Sequence, residues 1–395
     1  MKKRWVLISL TLLSFILITI YKAPAQTKTP TVKETLKIGL IAPLSGPALP
    51  WGEAVLLPAE IAADEINAQG GLKVGSKVYE LKLIPYDDKY TGEGGLTAAT
   101  RFVYADKGKY ILGPISSASL LAMQAVTEKE KVIIFGNTYT TKALSPDKPF
   151  TFRYFPTTAE FSGPQVAWVS KKYPNLKTVV ICSPNDETGR EVAAHNTDAY
   201  KKAGIKVLSV EYYERGMPDM APLITRVLGM KPDGLESDGS APGDAANLYK
   251  TARALGYKGM FLRTGGEATE AILSAARQAV EGMIYHADSD IEGATGKLAD
   301  FFTKLRKKRA GPISSASPYS YNSLMMLCLA IQKAGTVEDT GAVKVAMEQI
   351  KEFDALWGKV GWTGKDVYGI DHQLTGPTYI GQIIEGKTKI IAKVD

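Results

Sequence analysis

Cysteine and histidine are scarce in this sequence, which bears on disulfide, metal and catalytic sites. Cys182 and Cys328 form no CxxC pair, and the three histidines, His195, His286 and His372, share no metal-binding spacing. No GxSxG motif and no paired nucleophile and base stand out either. We therefore expect no disulfide framework, no metal site, no cofactor and no enzymatic activity.

The sequence after residue 25 also has little net positive charge. The net charge is +7, but Lys2, Lys3, Arg4 and Lys22 lie in the first 25 residues, which contain no acid. The remainder has 44 Lys and Arg against 41 Asp and Glu, a net charge of +3. So balanced a chain lacks the basic surface that phosphate backbones attract, and we expect no nucleic-acid partner.

Long apolar runs are missing after the N-terminal segment, so no later segment is expected to span a membrane. Residues 2–4 are basic, residues 5–20 form an apolar run, and residues 23–25 supply a small-residue cleavage site. This pattern predicts a signal peptide over residues 1–25 and an exported protein in the periplasm or another extracytoplasmic space. An uncleaved anchor is the alternative, because the apolar run is nearly long enough to cross a bilayer. The polar residues 26–35 are expected to form a flexible leader.

The rest of the chain alternates between strand-like and helix-like segments. Apolar runs of strand length occur at residues 36–41, 81–84, 110–112, 132–135, 178–182, 207–210, 260–262 and 283–285. Segments with helical spacing lie between them, and three follow one another after residue 295. The alternation predicts an α/β fold with doubly wound, mostly parallel sheets. The Pro-, Ser- and Thr-rich residues 144–164 interrupt it, which indicates one lobe before this seam and a second after it.

In doubly wound sheets, ligands bind beyond the carboxyl ends of the strands. The loops that follow the expected strands are residues 42–52, 87–93, 113–118, 136–142, 183–189, 237–243 and 263–268. Two lobes of this kind would hold a ligand in the cleft between them.

The loop GPISSAS at residues 113–119 leads into an expected helix. Free backbone N–H groups and the positive end of the helix dipole favour an anion there, and the hydroxyls of Ser116 and Ser117 add donors. The alternative is that Ser117 is only the helix N-cap.

The loop GNTYTT at residues 136–141 offers the hydroxyls of Thr138 and Thr140, together with carbonyl acceptors for an ammonium group. Ordinary turn and cap chemistry explains the same residues equally well. Trp51, in a Gly- and Pro-rich loop, either covers a ligand or packs beneath the loop.

Four acids follow strands in the second half of the chain: Asp186, Glu187, Asp238 and Glu267. One of them could hold an amine or another polar group of a ligand, although a solvated loop carboxylate is the commoner case.

Two motif matches do not fit their surroundings. GQIIEGKT at residues 381–388 matches the P-loop pattern, but its flanks predict a hairpin turning at residues 385–387. The acids that begin at Asp288 resemble the start of a calcium loop, but Ala299 stands at the twelfth position, where glutamate belongs. We expect neither a nucleotide site nor a calcium site.

Several segments, in this order and spacing, resemble the leucine/isoleucine/valine-binding family of type I periplasmic binding proteins, which deliver ligands to ABC transporters. The resemblance runs from about Leu36 to the C-terminus. It rests on KIGLIAPLSGPALPWG (37–52), AADEINAQGGLKVG (62–75), LKLIPYDD (81–88), ILGPISSAS (111–119), VIIFGNTYTT (132–141) and TGREVA (188–193).

The resemblance implies two lobes, joined by three crossovers, that close on a ligand by hinge bending. The implied first lobe comprises residues 36–155 and 289–356, and the second comprises residues 156–288 and 357–395. The expected protein is a monomer that captures a small carboxylate-bearing ligand, such as an amino acid, and delivers it to a membrane permease.

The resemblance also suggests roles for individual residues. Ser117 looks like the serine that binds a ligand carboxylate, and Thr138 and Thr140 resemble positions that hold the carboxylate and the amine. Trp51 matches an aromatic residue that covers the ligand side chain, and Glu267 lies where an acid often binds the ammonium group. The full set of candidate ligand-binding residues is Trp51, Ser116, Ser117, Thr138, Thr140, Thr188, Asp238 and Glu267.

The sequence departs from the family pattern at three points. Thr188 stands where amino-acid binders usually carry Tyr, and residues 236–244 lack the usual aromatics. Ser116 and Tyr90 occupy the approximate positions of a family disulfide. The ligand therefore stays open among amino acids, aromatic acids and amides. Sensing, in which the closed form engages a signalling receptor, is the alternative to transport.

Overall fold

The computed structural model describes residues 33–394, and within this range the strands form two large sheets and one small hairpin. The first sheet contains β1 (Lys33–Ala42), β2 (Leu72–Val74), β3 (Lys77–Asp87), β4 (Tyr110–Leu112), β5 (Ile133–Gly136) and β6 (Thr151–Arg153). Its order is β2-β3-β1-β4-β5-β6. The edge pair β2–β3 is antiparallel and the other neighbours are parallel.

The second sheet has the order β15-β14-β11-β10-β9-β7-β8. Its strands are β7 (Thr178–Pro184), β8 (Lys206–Tyr213), β9 (Gly234–Glu236), β10 (Met260–Arg263), β11 (Ile284–Ala287), β14 (Thr378–Ile384) and β15 (Lys387–Val394). The separate small hairpin consists of β12 (Phe353–Ala355) and β13 (Gly358–Val360). Strands β7 to β11 are parallel, and β14 and β15 add an antiparallel hairpin to one edge. The hairpin expected around residues 385–387 is therefore confirmed.

Helices follow most of the parallel strands, as the alternation predicts. They are α1 (Leu49–Ala68), α2 (Gly92–Tyr104), α3 (Ser117–Thr127), α4 (Thr158–Lys172), α5 (Glu187–Lys202), α6 (Ala221–Gly229), α7 (Pro242–Ala254), α8 (Thr269–Ala276), α9 (Gly296–Lys308), α10 (Ser317–Ala334), α11 (Thr340–Glu348) and α12 (Lys365–Tyr368). No helix of residues 33–394 is both long and apolar enough to cross a membrane.

The core of the first sheet shows why near-continuous apolar runs become parallel strands. In β1, Ile38, Leu40 and Ile41 are completely buried, because helices cover both faces of the sheet. Each such side chain contributes about 1.5–3 kcal/mol to folding. Helix α10 buries Leu324 and Leu327 in the same core, so it packs on the first sheet although it follows β11 of the second sheet in sequence.

Five strands were not predicted from the sequence: β2, β6, β9, β12 and β13. Each has three residues, one of them charged, so none shows an apolar run or a period of two. Strand β6 lies inside the seam at residues 144–164.

The chain passes between the two sheets three times, at residues 154–157, 288–295 and 375–377. Residues 358–374 pack against the first sheet, with Trp362 and Leu374 in its core. The limits of the two lobes deduced from the sequence stay a prediction. The expected signal peptide lies outside the described residues, as does most of the leader, and β1 already begins at Lys33.

Candidate functional site

The start of α3 brings two adjacent serines into different roles. Ser116 is the N-cap: its hydroxyl accepts from the Ser119 N–H at 3.3 Å and donates to the Tyr90 carbonyl at 3.4 Å. The capping role that the sequence left open for Ser117 therefore belongs to Ser116. The Ser117 hydroxyl is completely buried and has no hydrogen-bond partner among residues 33–394. A buried hydroxyl in this state costs free energy unless a bound molecule pairs with it.

In the loop after β5, as at the start of α3, one hydroxyl forms a cap and another has no partner among the described residues. The Thr140 hydroxyl accepts from the Lys142 N–H at 3.2 Å and caps a short 3-10 turn. The Thr138 hydroxyl is completely buried, and no described residue pairs with it. The carboxamide oxygen of the neighbouring Asn137 is likewise buried without a described partner. Thr138 is therefore the hydroxyl donor that this loop leaves available.

Trp51 is 4% exposed and connects the two sheets. Its indole N–H donates to the Glu267 carbonyl at 3.1 Å, and its ring lies 5.4 Å from that of Tyr90. The Arg215 guanidinium, which follows β8 of the second sheet, lies 4.3 Å from the centre of the Tyr90 ring. Trp51 lies in the first turn of α1 and not in the loop expected from the sequence. Together with Tyr90 it packs against Ala241 and Ala268 of the opposite lobe.

Thr188 lies in the first turn of α5 and contacts the first lobe directly. Its hydroxyl oxygen accepts from the Ser117 N–H at 3.2 Å and from the Tyr90 hydroxyl at 3.5 Å. The helix start itself is capped by Asp186, which accepts from the Gly189 N–H at 2.8 Å. The lobes are therefore in contact in this structure.

Glu267 follows β10 and is 6% exposed. The Tyr139 hydroxyl donates to its carboxylate at 2.8 Å and accepts from the Gly266 N–H at 2.8 Å. Burial raises the pKa of Glu267 to about 8, and the nearby Asp288 adds to the effect. Tyr139 was not among the expected residues, although it lies in a loop that the strand-end rule selects.

Asp238 follows β9, and the protein satisfies both of its carboxylate oxygens. They accept from the Gly239 N–H at 2.6 Å and from the Asn196 amide at 3.1 Å. Burial raises the pKa of Asp238, although Arg263 opposes this rise. The carboxylate approaches the backbone so closely that a Cβ at Gly265 would lie 2.7 Å from its oxygens. Asp238 is thus held beneath a glycine loop rather than left unpaired.

His286 and Asp288, at the end of β11, were missed because the loop after this expected strand was not included among the candidates. The His286 Nε2 lies 3.1 Å from the Asp288 carboxylate. Burial lowers the pKa of His286, but Asp288 and Glu267 outweigh it, and the net pKa is raised. The strand-end rule, applied to the expected strand at residues 283–285, selects both residues.

Of the eight candidate residues, the structure links four by direct contacts at the junction of the lobes: Trp51, Ser117, Thr188 and Glu267. Thr138 precedes Tyr139, which reaches Glu267. Ser116 and Thr140 act as caps, and Asp238 is paired within the second lobe. Their part in binding stays a prediction.

Comparison with known proteins places these features in a family. The sequence model of the periplasmic binding protein family matches residues 35–388. The Leu/Ile/Val-binding protein BraC3 of Rhizobium johnstonii is 27% identical over 356 residues, which cover 89% of this chain and 92% of that protein.

Solved structures show the same fold at lower identity. The leucine binding protein LivK of Thermotoga maritima superposes with a TM-score of 0.79 at 20% identity, covering 91% of this chain and 99% of that one. A solute binding protein of an ABC transporter from R. palustris, in complex with benzoate, has a TM-score of 0.78 at 17% identity and covers 91% and 96%. These likenesses confirm the expected α/β fold of two mostly parallel sheets.

Proposed function

Because the chain belongs to the periplasmic binding protein family, we propose that it is an exported solute-binding protein of an ABC importer. It captures a small carboxylate-bearing ligand between its two lobes and delivers it, as a monomer, to a membrane permease. An amino acid is the ligand class that the residues at the junction favour. The signal peptide predicted over residues 1–25 and the named relatives support a location outside the cytoplasm.

The observation that carries this proposal is the pair of buried hydroxyls on the first lobe. Ser117 and Thr138 are both 0% exposed, and neither hydroxyl pairs with any described residue. Ser117 also begins α3, where the positive end of the helix dipole favours negative charge. A ligand carboxylate at this point satisfies groups that otherwise carry a desolvation cost.

The second lobe supplies the complementary acid. Glu267 is buried beside Tyr139 and its pKa is raised to about 8. A ligand ammonium bound there favours the ionised carboxylate, and pairing between buried charges is strong. An aromatic acid such as benzoate has no group for this acid, whereas an amino acid carries both charges. The relative BraC3, named a Leu/Ile/Val-binding protein, supports the same class.

The contacts between the lobes support capture by closure. Trp51 donates to the Glu267 carbonyl, and the Ser117 N–H donates to Thr188, so each bond joins the two sheets. A ligand held beneath these bonds is excluded from water, which strengthens its polar contacts. The closed form then presents one surface, built from both lobes, to the permease.

A thermal-shift screen of the purified protein against amino acids, benzoate and small amides tests the proposal. An amino acid at about a hundred times its dissociation constant should stabilise the fold by about 2.7 kcal/mol. Calorimetry on Thr138→Val should then show affinity lower by about 1–3 kcal/mol, because the hydroxyl that pairs with the ligand is lost.

The matched control is Thr127→Val, at the far end of α3. Thr127 is also completely buried, but its hydroxyl already donates to the Met123 carbonyl at 3.2 Å. This variant should keep the wild-type affinity. Stabilisation by benzoate or amides alone would refute the amino-acid assignment, and equal affinity of the two variants would refute the role of Thr138.

A further inference from the structure

Three side chains that can bind metals meet at the carboxyl ends of two strands. Glu267 follows β10, His286 lies in β11, and Asp288 follows β11 directly. Strands β10 and β11 are adjacent and parallel, so these ends lie at the same edge of the sheet. One donor atom of each side chain lies within 4.8 Å of the other two, and all three residues are buried.

We propose that Glu267, His286 and Asp288 form a divalent-cation site, and that Zn²⁺ is the ion it fits best. One imidazole nitrogen and two carboxylate oxygens form a donor set that suits Zn²⁺, with Mn²⁺ as the weaker competitor. In a tetrahedral zinc site, bonds of about 2.1 Å place the donor atoms roughly 3.4 Å apart. His286 Nε2 and Asp288 Oδ1 already lie 3.1 Å apart.

An independent observation points to a bound cation. Asp288 is completely buried, and its Oδ1 receives contacts from His286 and from the Tyr319 hydroxyl at 3.3 Å. Its Oδ2 has no hydrogen-bond partner among residues 33–394. A buried carboxylate oxygen without a partner is costly, and coordination to a cation removes that cost.

The surroundings of His286 orient the ring for coordination. Its second nitrogen, Nδ1, is hydrogen-bonded to the side-chain amide of Gln165, and its ring stacks on Phe161 with 4.3 Å between the ring centres. These contacts direct Nε2 towards the carboxylates. Coordination through Nε2 requires the Gln165 carboxamide to turn its oxygen towards Nδ1, so that Nδ1–H donates to it, as the second ring nitrogen does in metal-binding histidines.

The spacing of the histidines along the sequence predicts no metal site, because only one histidine belongs to this cluster. Its other two ligands are acids from the loops that follow β10 and β11. The fold assembles them without any sequence motif. This inference goes beyond the proposed transport function and does not rest on it, since no solute takes part in the cluster. The two proposals share Glu267, so Zn²⁺ and a ligand ammonium would compete for this acid.

The test uses the purified chain, treated with a chelator and kept free of amino acids. Calorimetric titration with ZnCl₂, followed by metal analysis after dialysis, should show one Zn²⁺ per chain. His286→Asn and Asp288→Asn should each weaken Zn²⁺ binding by at least about tenfold. His195→Asn is the matched control, because His195 lies on α5 and contacts Thr158 instead of the cluster.

Two results would overturn the proposal: no stoichiometric Zn²⁺ binding by the wild-type chain, or unchanged affinity in both folded variants. If neither variant folds, wild-type protein loaded with Co²⁺ decides the question. Visible absorption bands of a four-coordinate nitrogen–oxygen site, lost on addition of Zn²⁺, support the site, and their absence rejects it. Because no solute is present, a failure here leaves the transport proposal untouched, and the reverse also holds.

Discussion

Replacing Ser117 by alanine should separate ligand affinity from folding stability. The Ser117 hydroxyl is completely buried and pairs with no described residue, so we assign its missing partner to the carboxylate of the proposed ligand. A hydrogen bond to a charged group contributes about 1.5–3 kcal/mol. Ser117→Ala should therefore weaken binding about 10- to 150-fold.

Stability without ligand should respond differently. The alanine variant loses a hydroxyl that makes no hydrogen bond with the described residues, so the free energy of unfolding should stay within about 1 kcal/mol of wild type. The adjacent Ser116 supplies the contrast, because its hydroxyl caps α3. Ser116→Ala should cost about 1 kcal/mol of stability and change affinity far less.

Calorimetry measures the affinities, and urea unfolding without ligand measures the stabilities of the three proteins. The reasoning fails if Ser117→Ala binds the ligand as tightly as wild type. It also fails if this variant loses more stability than Ser116→Ala, because Ser117 would then serve the fold rather than the ligand.

Two further predictions concern a buried acid and a contact between the lobes. Burial raises the pKa of Asp88 to about 6, above the value near 3.9 that it has in the unfolded chain. The protonated acid therefore stabilises the folded protein below pH 4, and about 3 kcal/mol of this stabilisation disappears as the pH rises from about 4 to 6. Asp88→Asn should flatten that part of the plot of unfolding free energy against pH, and an unchanged slope would contradict the assignment. Arg215→Gln removes a cation–π contact to Tyr90 at 4.3 Å between the lobes, so ligand affinity measured by calorimetry should fall by up to about 30-fold. Affinity equal to that of wild type would show that this contact does not contribute to closure.

The sequence predicted the architecture because parallel α/β folds repeat a pattern that periodicity can detect. The buried run that becomes β1 and the helical spacing that becomes α10 are long enough to show it. Strands β2, β6, β9, β12 and β13 were missed because each has only three residues, one of them charged, and so shows neither an apolar run nor a period.

The site was predicted less completely, because its chemistry depends on which partners the fold supplies. Ser116 and Ser117 are the same residue type at adjacent positions. The Ser116 hydroxyl nevertheless caps α3, whereas the Ser117 hydroxyl pairs with no described residue. Tyr139 was missed although it lies in a candidate loop, and Asp288 was missed because the loop after the expected strand at residues 283–285 was not a candidate. Their importance follows from contacts with Glu267 and His286, which no local pattern reports.

The bonds that join the lobes have a kinetic consequence. Ser117 and Thr138 are sealed from solvent. Under the proposed function, a solute would reach or leave them only while bonds such as that between Trp51 and Glu267 are broken. The residence time of the solute would then depend on how often the two lobes separate, as well as on the strength of its contacts with the protein. The ion pair between Lys142 of the first lobe and Glu187 of the second is exposed. Added salt screens it and would thereby change the residence time without altering any contact to the solute.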